Sequence, residues 1–410
     1  MKQTDASVIV VGGGFAGYYT ARGLSRHARV TLIDANGFQT FQPLLYQVAS
    51  GLLDPGNVRY PLADIEHVTA VRATVTTVDL TQCRVLLAPP DPDRTPDASA
   101  AVPTSLTSDY LVLCPGARVN FFGVPGAAQF AHPLYTLVDA ISIKRRLQEL
   151  VGTKEPFSVV VVGAGATGVE ITGALLDSLE VLLPRAYPMF RRDMVTVHLV
   201  DRAETPLSPM SEASQRCAAA ALERGGVQMH LGRSATAVTA DTVTLDDGTV
   251  LPAQLTIWAG GLSVHAPDLT PPPATGPSGR ITVDDTLRIP GFDNVFCLGD
   301  AAADQHTPLP QLGSVAKQQG SHTAHTIRRL IKGKPAKPFT YRDLGTMAMI
   351  RHDSAVVEAG PQHHQVDGHP AYLMWLALHA YLLPGTLDKE EAVHTWVHER
   401  MTESSSFLFD

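Results

Sequence analysis

The stretch SVIVVGGGFAGYYTARGL, residues 7–24, is typical of a β-strand, a tight glycine turn and a helix in succession. Its glycines Gly12, Gly14 and Gly17 have the spacing G-x-G-x-x-G. The first permits the turn, the second lets a pyrophosphate approach the backbone, and the third lets the helix pack closely on the strand. Asp34 ends the next strand-like segment, 22 residues after Gly12, near the ~20 residues typical of an acid that binds a ribose hydroxyl. The pattern predicts a dinucleotide-binding βαβ unit.

A second stretch, SVVVVGAGATGVEITGAL at residues 158–175, repeats the pattern with Gly163, Gly165 and Gly168. The acid that ends the following strand-like segment, Asp201, comes 38 residues after Gly163, so the residues between predict a lengthened helix and loop. Asp201 favours the free 2′-hydroxyl of NAD, whereas the neighbouring Arg202 could accept the 2′-phosphate of NADP. Two such units in one α/β chain predict two related dinucleotide-binding domains.

Composition limits the class of protein. At 410 residues the chain exceeds the roughly 250–300 at which single cores stop growing, so we expect two or three domains. A formal net charge of −8 argues against binding to nucleic acid and disfavours strong docking on anionic lipid. The longest apolar run, residues 372–383, is shorter than the ~20 residues of a spanning helix. The amino-terminal residues run straight into a strand, so we expect no signal peptide and a cytoplasmic protein.

The cysteines and histidines predict no metal or disulfide chemistry. Cys83, Cys114, Cys217 and Cys297 are scattered, which favours neither a disulfide framework nor a zinc site. In the tail, two histidines at i, i+4 spacing have the geometry that can bind metal, but no third ligand is indicated. These are His394 and His398.

The remaining segments complete an α/β chain. Leu298-Gly299-Asp300 follows a strand-like run and puts a glycine and an acid where they can meet a cofactor's polyol or phosphate. Residues 88–109 are rich in Pro, Asp and Ser and predict an exposed loop. Residues 243–251 predict a hairpin with an Asp-Gly turn. We expect two short strands within residues 339–360 and a helical tail from about residue 370.

Several motifs, in chain order, resemble the type II NADH dehydrogenases over about residues 7–360. Besides the two glycine motifs they are FQPLLYQVASG (41–51), TIWAGG (256–261), VFCLGDAA (295–302), VAKQQG (315–320) and KPFTYRDLGTMAMI (337–350). The FQPLLYQVA and AxQQG segments are specific to this group, whose members are NADH:quinone oxidoreductases of the two-dinucleotide-domain flavoprotein superfamily.

The resemblance implies an α/β fold with two Rossmann-like dinucleotide-binding domains, for FAD and NAD(P)H, plus a small C-terminal region. We expect a discontinuous FAD-binding domain at residues 1–120 and 285–345, an NAD(P)H-binding domain at 150–284, and a strand pair with a helical tail at 346–410.

The resemblance also implies the site residues. FAD would contact Gly12, Gly14, Gly17, Asp34 and Asp300. NADH, or alternatively NADPH, would bind at Gly163, Gly165, Gly168 and Asp201. Glu170 would lie near the flavin–nicotinamide junction, and Gln318 and Gln319 would line the pocket of a quinone-type acceptor.

One feature separates this chain from its apparent relatives, and another argues against other enzymes of the same superfamily. The family ends in basic amphipathic helices that hold the membrane surface, whereas residues 384–410 here are acidic and mixed, so we expect at most peripheral attachment. Tyr372, Trp375 and Tyr381 could pack the tail onto the body or onto a second subunit, and we expect a homodimer. Disulfide reductases and sulfide:quinone oxidoreductases need redox cysteines, and the segment from Phe38 to Leu53 contains none.

Two alternative functions stay open: a soluble NAD(P)H-dependent reductase of another small-molecule or protein acceptor, and an NADH-sensing flavoprotein with little turnover.

Overall fold

The computed structural model describes residues 5–88, 103–264, 266–305, 309–360 and 363–382. Most of the predicted loop at 88–109, and the tail with His394 and His398, lie outside these residues. The chain forms two compact units, each assembled from separate segments. The first unit comprises Met1–Thr40, Arg59–Arg118 and Leu262–Arg342, and the second comprises Phe41–Val58, Val119–Gly261 and Asp343–Asp410.

The elements are given in chain order. The first strands are β1 (Ser7–Val11), β2 (Arg29–Asp34), β3 (Phe38–Thr40), β4 (Arg59–Pro61), β5 (Val68–Arg72), β6 (Thr74–Asp79), β7 (Arg84–Ala88), β8 (Ser105–Thr107), β9 (Tyr110–Leu113), β10 (Arg118–Val119), β11 (His132–Pro133), β12 (Phe157–Val162) and β13 (Val195–Asp201). The later strands are β14 (Gln228–Leu231), β15 (Ala235–Val238), β16 (Thr242–Leu245), β17 (Val250–Pro252), β18 (Leu255–Trp258), β19 (Leu262–Ser263), β20 (Asp268–Thr270), β21 (Ile281–Val283), β22 (Val295–Cys297), β23 (Ala302–Asp304), β24 (Gly345–Arg351), β25 (Ser354–Ala359) and β26 (His364–Asp367). The α-helices are α1 (Phe15–Leu24), α2 (Leu45–Ser50), α3 (Ala127–Phe130), α4 (Leu137–Thr153), α5 (Ala166–Asp177), α6 (Leu183–Ala186), α7 (Glu212–Arg224), α8 (Gly313–Leu330) and α9 (Gly368–Leu382).

The first unit is built on a parallel sheet with strand order β22-β9-β1-β2-β5. β1 pairs with β2 from Ser7 opposite Arg29 to Val11 opposite Ile33. The side chains of β1 are almost wholly buried, as expected of a β-branched run in a sheet covered on both faces. Helix α1, which follows β1, packs against α8. A smaller sheet, β20-β6-β7-β8, belongs to the same unit.

The second unit repeats this arrangement. Its parallel sheet has the order β11-β18-β12-β13-β14, with the strand that precedes the glycine turn again in third place. Val159, Val160 and Val161 of β12 are fully buried. Two antiparallel sheets, β15-β16-β17 and β24-β25-β26, belong to the same unit. The two Rossmann-like sheets confirm the predicted fold class.

Other local predictions also match. The hairpin predicted at residues 243–251 is β16 and β17. The lengthened helix after the second glycine turn is α5, a π-helical turn at Ser178–Leu182, and α6.

The boundaries of the compact units differ from the expected domain boundaries. Residues 262–284, which we expected in the NAD(P)H-binding domain, fall in the first compact unit, and the C-terminal strands fall in the second. The assignment of each domain to a cofactor stays a prediction.

Hydropathy adds one observation about membranes. Within the part of the chain that the structure describes, no helix is long and apolar enough to cross a bilayer.

Candidate active site

The first glycine turn shows which glycines the fold itself requires. Gly12 has a φ of +94°, and a Cβ there would overlap the carbonyl oxygen of Cys114. A Cβ on Gly17 would overlap the carbonyl oxygen of Gly12. At Gly14, by contrast, an added Cβ would meet nothing within 4 Å. Packing therefore explains two of the glycines, and the third leaves open space beside the backbone, which is what a pyrophosphate needs.

The second turn repeats this distribution. Gly163 has a φ of +108°, and a Cβ there would lie 2.9 Å from the carbonyl carbon of Ala259. A Cβ on Gly168 would overlap the carbonyl oxygen of Gly163, whereas Gly165 again has nothing within 4 Å. The same residue of each motif is open to a ligand.

Each open glycine is also the N-cap of a helix. Gly14 precedes α1 and Gly165 precedes α5, and in the described residues neither N-terminus has a side-chain cap or an acidic residue in its first turn. The first N–H groups of a helix have no intrahelical partner, and with the helix dipole they form a site for a phosphate group. The two turns are thus suited to two pyrophosphate groups.

The two acids that follow make matching contacts within their own units. Asp34 accepts hydrogen bonds from the N–H of Gly13 at 2.8 Å and of Asn36 at 2.7 Å. Burial raises the pKa of Asp34, and the N–H groups of Gly13, Asn36 and Gly37 oppose that rise. A carboxylate offers about four acceptor positions, so Asp34 retains capacity for a ribose hydroxyl.

Asp201 is held in the same way. Its carboxylate accepts from the N–H of Ala164 at 2.6 Å and of Ala203 at 2.7 Å. The adjacent Arg202 is exposed.

The turn that carries Asp300 lies beside the first glycine motif. Gly299, with a φ of +70°, is close enough to α1 that its Cβ would lie 3.4 Å from the Cβ of Ala16. Its N–H donates to the buried Gln319 side chain at 2.7 Å. The structure therefore brings Asp300, Gln319 and the first glycine turn together in the first unit.

The adjacent Gln318 has a different partner. Its side-chain NH₂ donates to the carbonyl of Arg342 at 2.9 Å, and its side-chain oxygen accepts the Arg342 N–H at 3.0 Å. Both ends of this amide are engaged by backbone, so the two glutamines have separate structural roles.

One buried side chain of the first unit fits a bound cofactor although the sequence analysis did not single it out. Gln39 on β3 is fully buried. Neither its side-chain oxygen nor its nitrogen has a hydrogen-bond partner within the described residues. Because an unsatisfied buried amide is costly, this side chain is suited to contact a ligand such as a flavin nucleotide.

Glu170 belongs to the second unit, on α5. The carboxyl group is half-buried and accepts the N–H of Met349 at 3.3 Å. Burial raises its pKa to about 8, and the Met349 N–H opposes that rise. The carboxyl group can therefore hold and release a proton close to neutral pH.

Residues of the FQPLLYQVA motif lie in the same unit. The buried Tyr46 and Gln47 of α2 share a hydrogen bond of 3.1 Å. Burial raises the pKa of the Tyr46 hydroxyl, and the charge of Glu170 raises it further. The sequence contained the signal, because both residues stand inside a motif that resembles the family, but the sequence analysis gave them no role.

The cysteines offer no redox pair. All four are free thiols. Burial raises the pKa of Cys297 to about 12 and that of Cys114 well above its usual range, which suppresses the reactive thiolate. In the described residues no cluster of His, Cys, Asp or Glu could hold a metal ion.

Two Rossmann-like units, each with an open glycine turn and a following acid, have the architecture of the two-dinucleotide-domain flavoprotein oxidoreductases, which use FAD and a nicotinamide dinucleotide. A family model described as "Pyridine nucleotide-disulphide oxidoreductase" matches residues 6–320. The chain is 32% identical to the type II NADH:quinone oxidoreductase Ndh of Mycobacterium tuberculosis, over 95% of this chain and 87% of that protein. The chain therefore belongs to the type II NADH:quinone oxidoreductases of that family.

Two further matches extend the comparison. The demethylphylloquinone reductase NdbB of Synechocystis is 26% identical over 97% of this chain and 95% of that protein. The structure of NDH2 from Plasmodium falciparum in complex with NADH superposes with a TM-score of 0.87 at 16% identity, covering 98% of this chain and 100% of that one. The last likeness supports the fold.

Proposed function

We propose that this protein oxidises NADH and passes the two electrons through FAD to a quinone. The observation that carries the proposal is the pair of glycine turns, each with one position left open for a phosphate at an uncapped helix N-terminus. The names of the relatives from M. tuberculosis and Synechocystis specify a quinone as the electron acceptor, and this supports the same class of acceptor here.

The first unit is proposed to hold FAD through its glycine turn and two acids. The contacting residues would be Gly12, Gly14, Gly17, Asp34 and Asp300. When bound, FAD supplies a flavin that accepts a hydride from NADH and then gives up two electrons. The protein's part would be to bind and orient the reactants: the α1 N-terminus would hold the pyrophosphate, and Asp34 would accept a hydrogen bond from a ribose hydroxyl.

The second unit is proposed to bind NADH through Gly163, Gly165, Gly168 and Asp201. Asp201 would accept a hydrogen bond from the 2′-hydroxyl and repel a 2′-phosphate. We therefore propose that NADH is preferred over NADPH, although the neighbouring Arg202 is exposed and carries the opposite charge.

Glu170 is proposed to hold a proton for the acceptor half of the reaction. A quinone takes up two protons together with its two electrons. Because burial raises the pKa of Glu170 to about 8, the group is mostly protonated at neutral pH and is able to give up that proton.

Gln318 and Gln319 are proposed to line the acceptor pocket. The resemblance of the VAKQQG segment to the family supports this role, and the side chains also hold the backbone of Gly299 and of Arg342. Substituting either residue would then slow oxidation of the reduced flavin by quinone more than reduction by NADH.

An anaerobic stopped-flow experiment on purified protein tests the function. The protein should be yellow with about one FAD per chain, NADH should bleach the flavin, and a soluble quinone should restore the colour over many turnovers. NADPH and a panel of non-quinone acceptors serve as comparisons. A flavin that NADH bleaches but quinone does not reoxidise would leave the sensing or alternative-acceptor functions, and a colourless protein that FAD cannot reconstitute would overturn the proposal.

We also propose a dimeric protein whose attachment to membranes is at most peripheral and weak. Of the apolar residues on α9, Trp375 is fully buried, stacked on His379 and against Tyr46. Leu373 and Met374 are exposed. The following residues 384–410 supply few basic groups, whereas helices that lie on anionic membranes usually present several.

Light scattering and liposome sedimentation test these two proposals. The dimer requires a solution mass of twice 43.9 kDa. Weak attachment requires that anionic liposomes leave most of the protein in the supernatant. Tight binding that is lost on truncation at Pro370 would contradict it.

A further inference from the structure

Helix α5 and strand β24 approach each other backbone to backbone in the second unit. Gly173 lies at the contact, where a Cβ would overlap the carbonyl oxygen of Ile350. Only glycine allows this approach. Glu170 lies about one turn before Gly173 on α5, and Asp177 about one turn after it, at ~3.6 residues per turn.

Asp177 binds the end of β24 firmly. The side chain is buried, with 4% of the residue exposed. One oxygen accepts the Nε–H of Arg351 at 2.6 Å and lies 3.0 Å from Nδ1 of His352, and the other accepts the His352 N–H at 2.7 Å. Arg351 also donates to Glu180 at 2.6 Å. Asp177 thus ties α5 to the last residue of β24 and to the first residue after it.

The other end of the contact reaches Glu170. The pairing of β24 with β25 is irregular between Met349 and Arg351, and such a bulge re-aims backbone groups away from the ladder. The Met349 N–H donates to the Glu170 carboxylate at 3.3 Å. Only Ile350 therefore lies between the residue whose N–H contacts Glu170 and the residue whose side chain Asp177 holds.

We propose that Asp177 is a positioning residue for Glu170: by anchoring Arg351 and His352, it keeps β24 in the place from which the Met349 N–H reaches the Glu170 carboxylate. The inference rests on the proposed function, because it concerns the group proposed to hold the acceptor's proton. Asp177 itself need contact neither substrate nor cofactor.

The groups around Glu170 set the direction of the expected effect. The titratable group that faces Glu170 from α2 is Tyr46. The charges of Asp177 and of Tyr372 on α9 also raise the pKa of Tyr46. The end of β24 and the turn that joins it to β25 contribute Arg351 and His352, both hydrogen-bonded to Asp177. The Met349 N–H is the group that lowers the Glu170 pKa, so its withdrawal raises that pKa further and keeps the carboxyl protonated to higher pH.

The test measures the two half-reactions against pH in Asp177→Asn and Arg351→Lys. The asparagine keeps the volume of the side chain but not its charge, and the lysine keeps the charge but not the forked donors of arginine. We expect the pH midpoint of flavin oxidation by a soluble quinone to move up by about 0.5–1 unit in Asp177→Asn, and by less in Arg351→Lys. Reduction by NADH should keep its profile. Asp193→Asn, which removes the charge from an exposed ion pair of the same unit, is the matched control and should change neither.

Repeating the measurements in the Glu170→Gln variant separates this inference from the proposed function. In Glu170→Gln the pH dependence should disappear, and adding Asp177→Asn should then change nothing. An equal effect of Asp177→Asn with and without Glu170 would overturn the positioning role. If Glu170→Gln leaves the pH profile unchanged, the catalytic proposal fails. The positioning is then decided by infrared titration of the carboxyl band that Glu170→Gln removes: an unmoved midpoint in Asp177→Asn refutes it. Should Asp177→Asn not fold, Arg351→Gln and His352→Ala take its place in both measurements.

Discussion

Asp34 and Asp201 make the same pair of hydrogen bonds, each within its own unit. Each carboxylate accepts one hydrogen bond from an N–H of the glycine turn before it, Gly13 at 2.8 Å for Asp34 and Ala164 at 2.6 Å for Asp201. Each accepts a second from the N–H of the residue two positions after the acid itself, Asn36 or Ala203. Each acid therefore stabilises its turn before any ribose binds. Substituting either one changes the shape of the turn as well as the charge beside it, and an experiment on these residues has to separate the two effects.

For Asp201, comparison of two variants makes that separation. Asp201→Asn keeps an oxygen that can accept an N–H but removes the charge, and Asp201→Ala removes both. If the charge repels a 2′-phosphate, both variants should shift the NADH/NADPH preference toward NADPH by about tenfold, or ~1.4 kcal/mol. Asp201→Ala should lower the melting temperature more than Asp201→Asn, which keeps one acceptor oxygen for the two N–H groups that the carboxylate binds. Flavin reduction rates with each nucleotide are the measurement, and an unchanged ratio in both variants would show that Asp201 does not select the cofactor.

Alanine at Gly14 and at Gly17 should have opposite consequences. Gly14 has a φ of −66° and open space around it, so Gly14→Ala should fold and lose affinity for FAD. Gly17→Ala should destabilise the apoprotein by about 3 kcal/mol or more, because its Cβ overlaps backbone that cannot easily move. Thermal unfolding of the apoproteins and FAD titration measure the two properties. The prediction is wrong if Gly14→Ala binds FAD as tightly as the parent.

Glu170 should make the protein less stable as pH rises. Its pKa is about 8 in the folded protein against an ordinary 4.5. Between these values the folded state retains a proton that the unfolded chain has released, so the free energy of unfolding falls with rising pH. Glu170→Gln should therefore raise the melting temperature more at alkaline pH than at acidic pH. The exposed Glu155, changed to Gln, is the control; an equal gain from Glu170→Gln at both ends of the pH range would contradict the raised pKa.

Thiol chemistry should be dispensable. Because Cys114 and Cys297 are buried with raised pKa values, alkylation of the folded protein at neutral pH should leave both unmodified. NADH:quinone turnover should be unchanged after treatment. Mass spectrometry of the labelled sites, with activity measured on the same sample, is the test. Lost turnover that correlates with labelling of Cys114 or Cys297 would restore a redox role for cysteine.

Short-range spacing explains why the fold was predictable. The two glycine turns, their strands and their acids follow one another over a few dozen residues, and each pattern has one well-known geometry. Asp177 and Arg351 are 174 positions apart, and neither stands in a motif. Their contact depends on how β24 lies along α5, which no periodicity encodes. Gln318 shows a second limit, because its partner is the backbone of Arg342, and a backbone group has no sequence signature.

The helices that follow the two glycine turns pack against different neighbours, but in both cases a glycine allows the close contact. In the first unit α1 is covered by α8, where a Cβ on Gly320 would overlap the carbonyl oxygen of Ala16. In the second unit α5 is covered by β24, where Gly173 faces Ile350. If the two units descend from one duplicated ancestor, both kept the strand, glycine turn, helix and acid of the nucleotide-binding motif. The elements that pack on the helix, α8 in one unit and β24 in the other, then arose independently. On that view, the extra helical turns after α5, which bring Glu180 to Arg351, were added in the second unit together with the packing of β24 on α5.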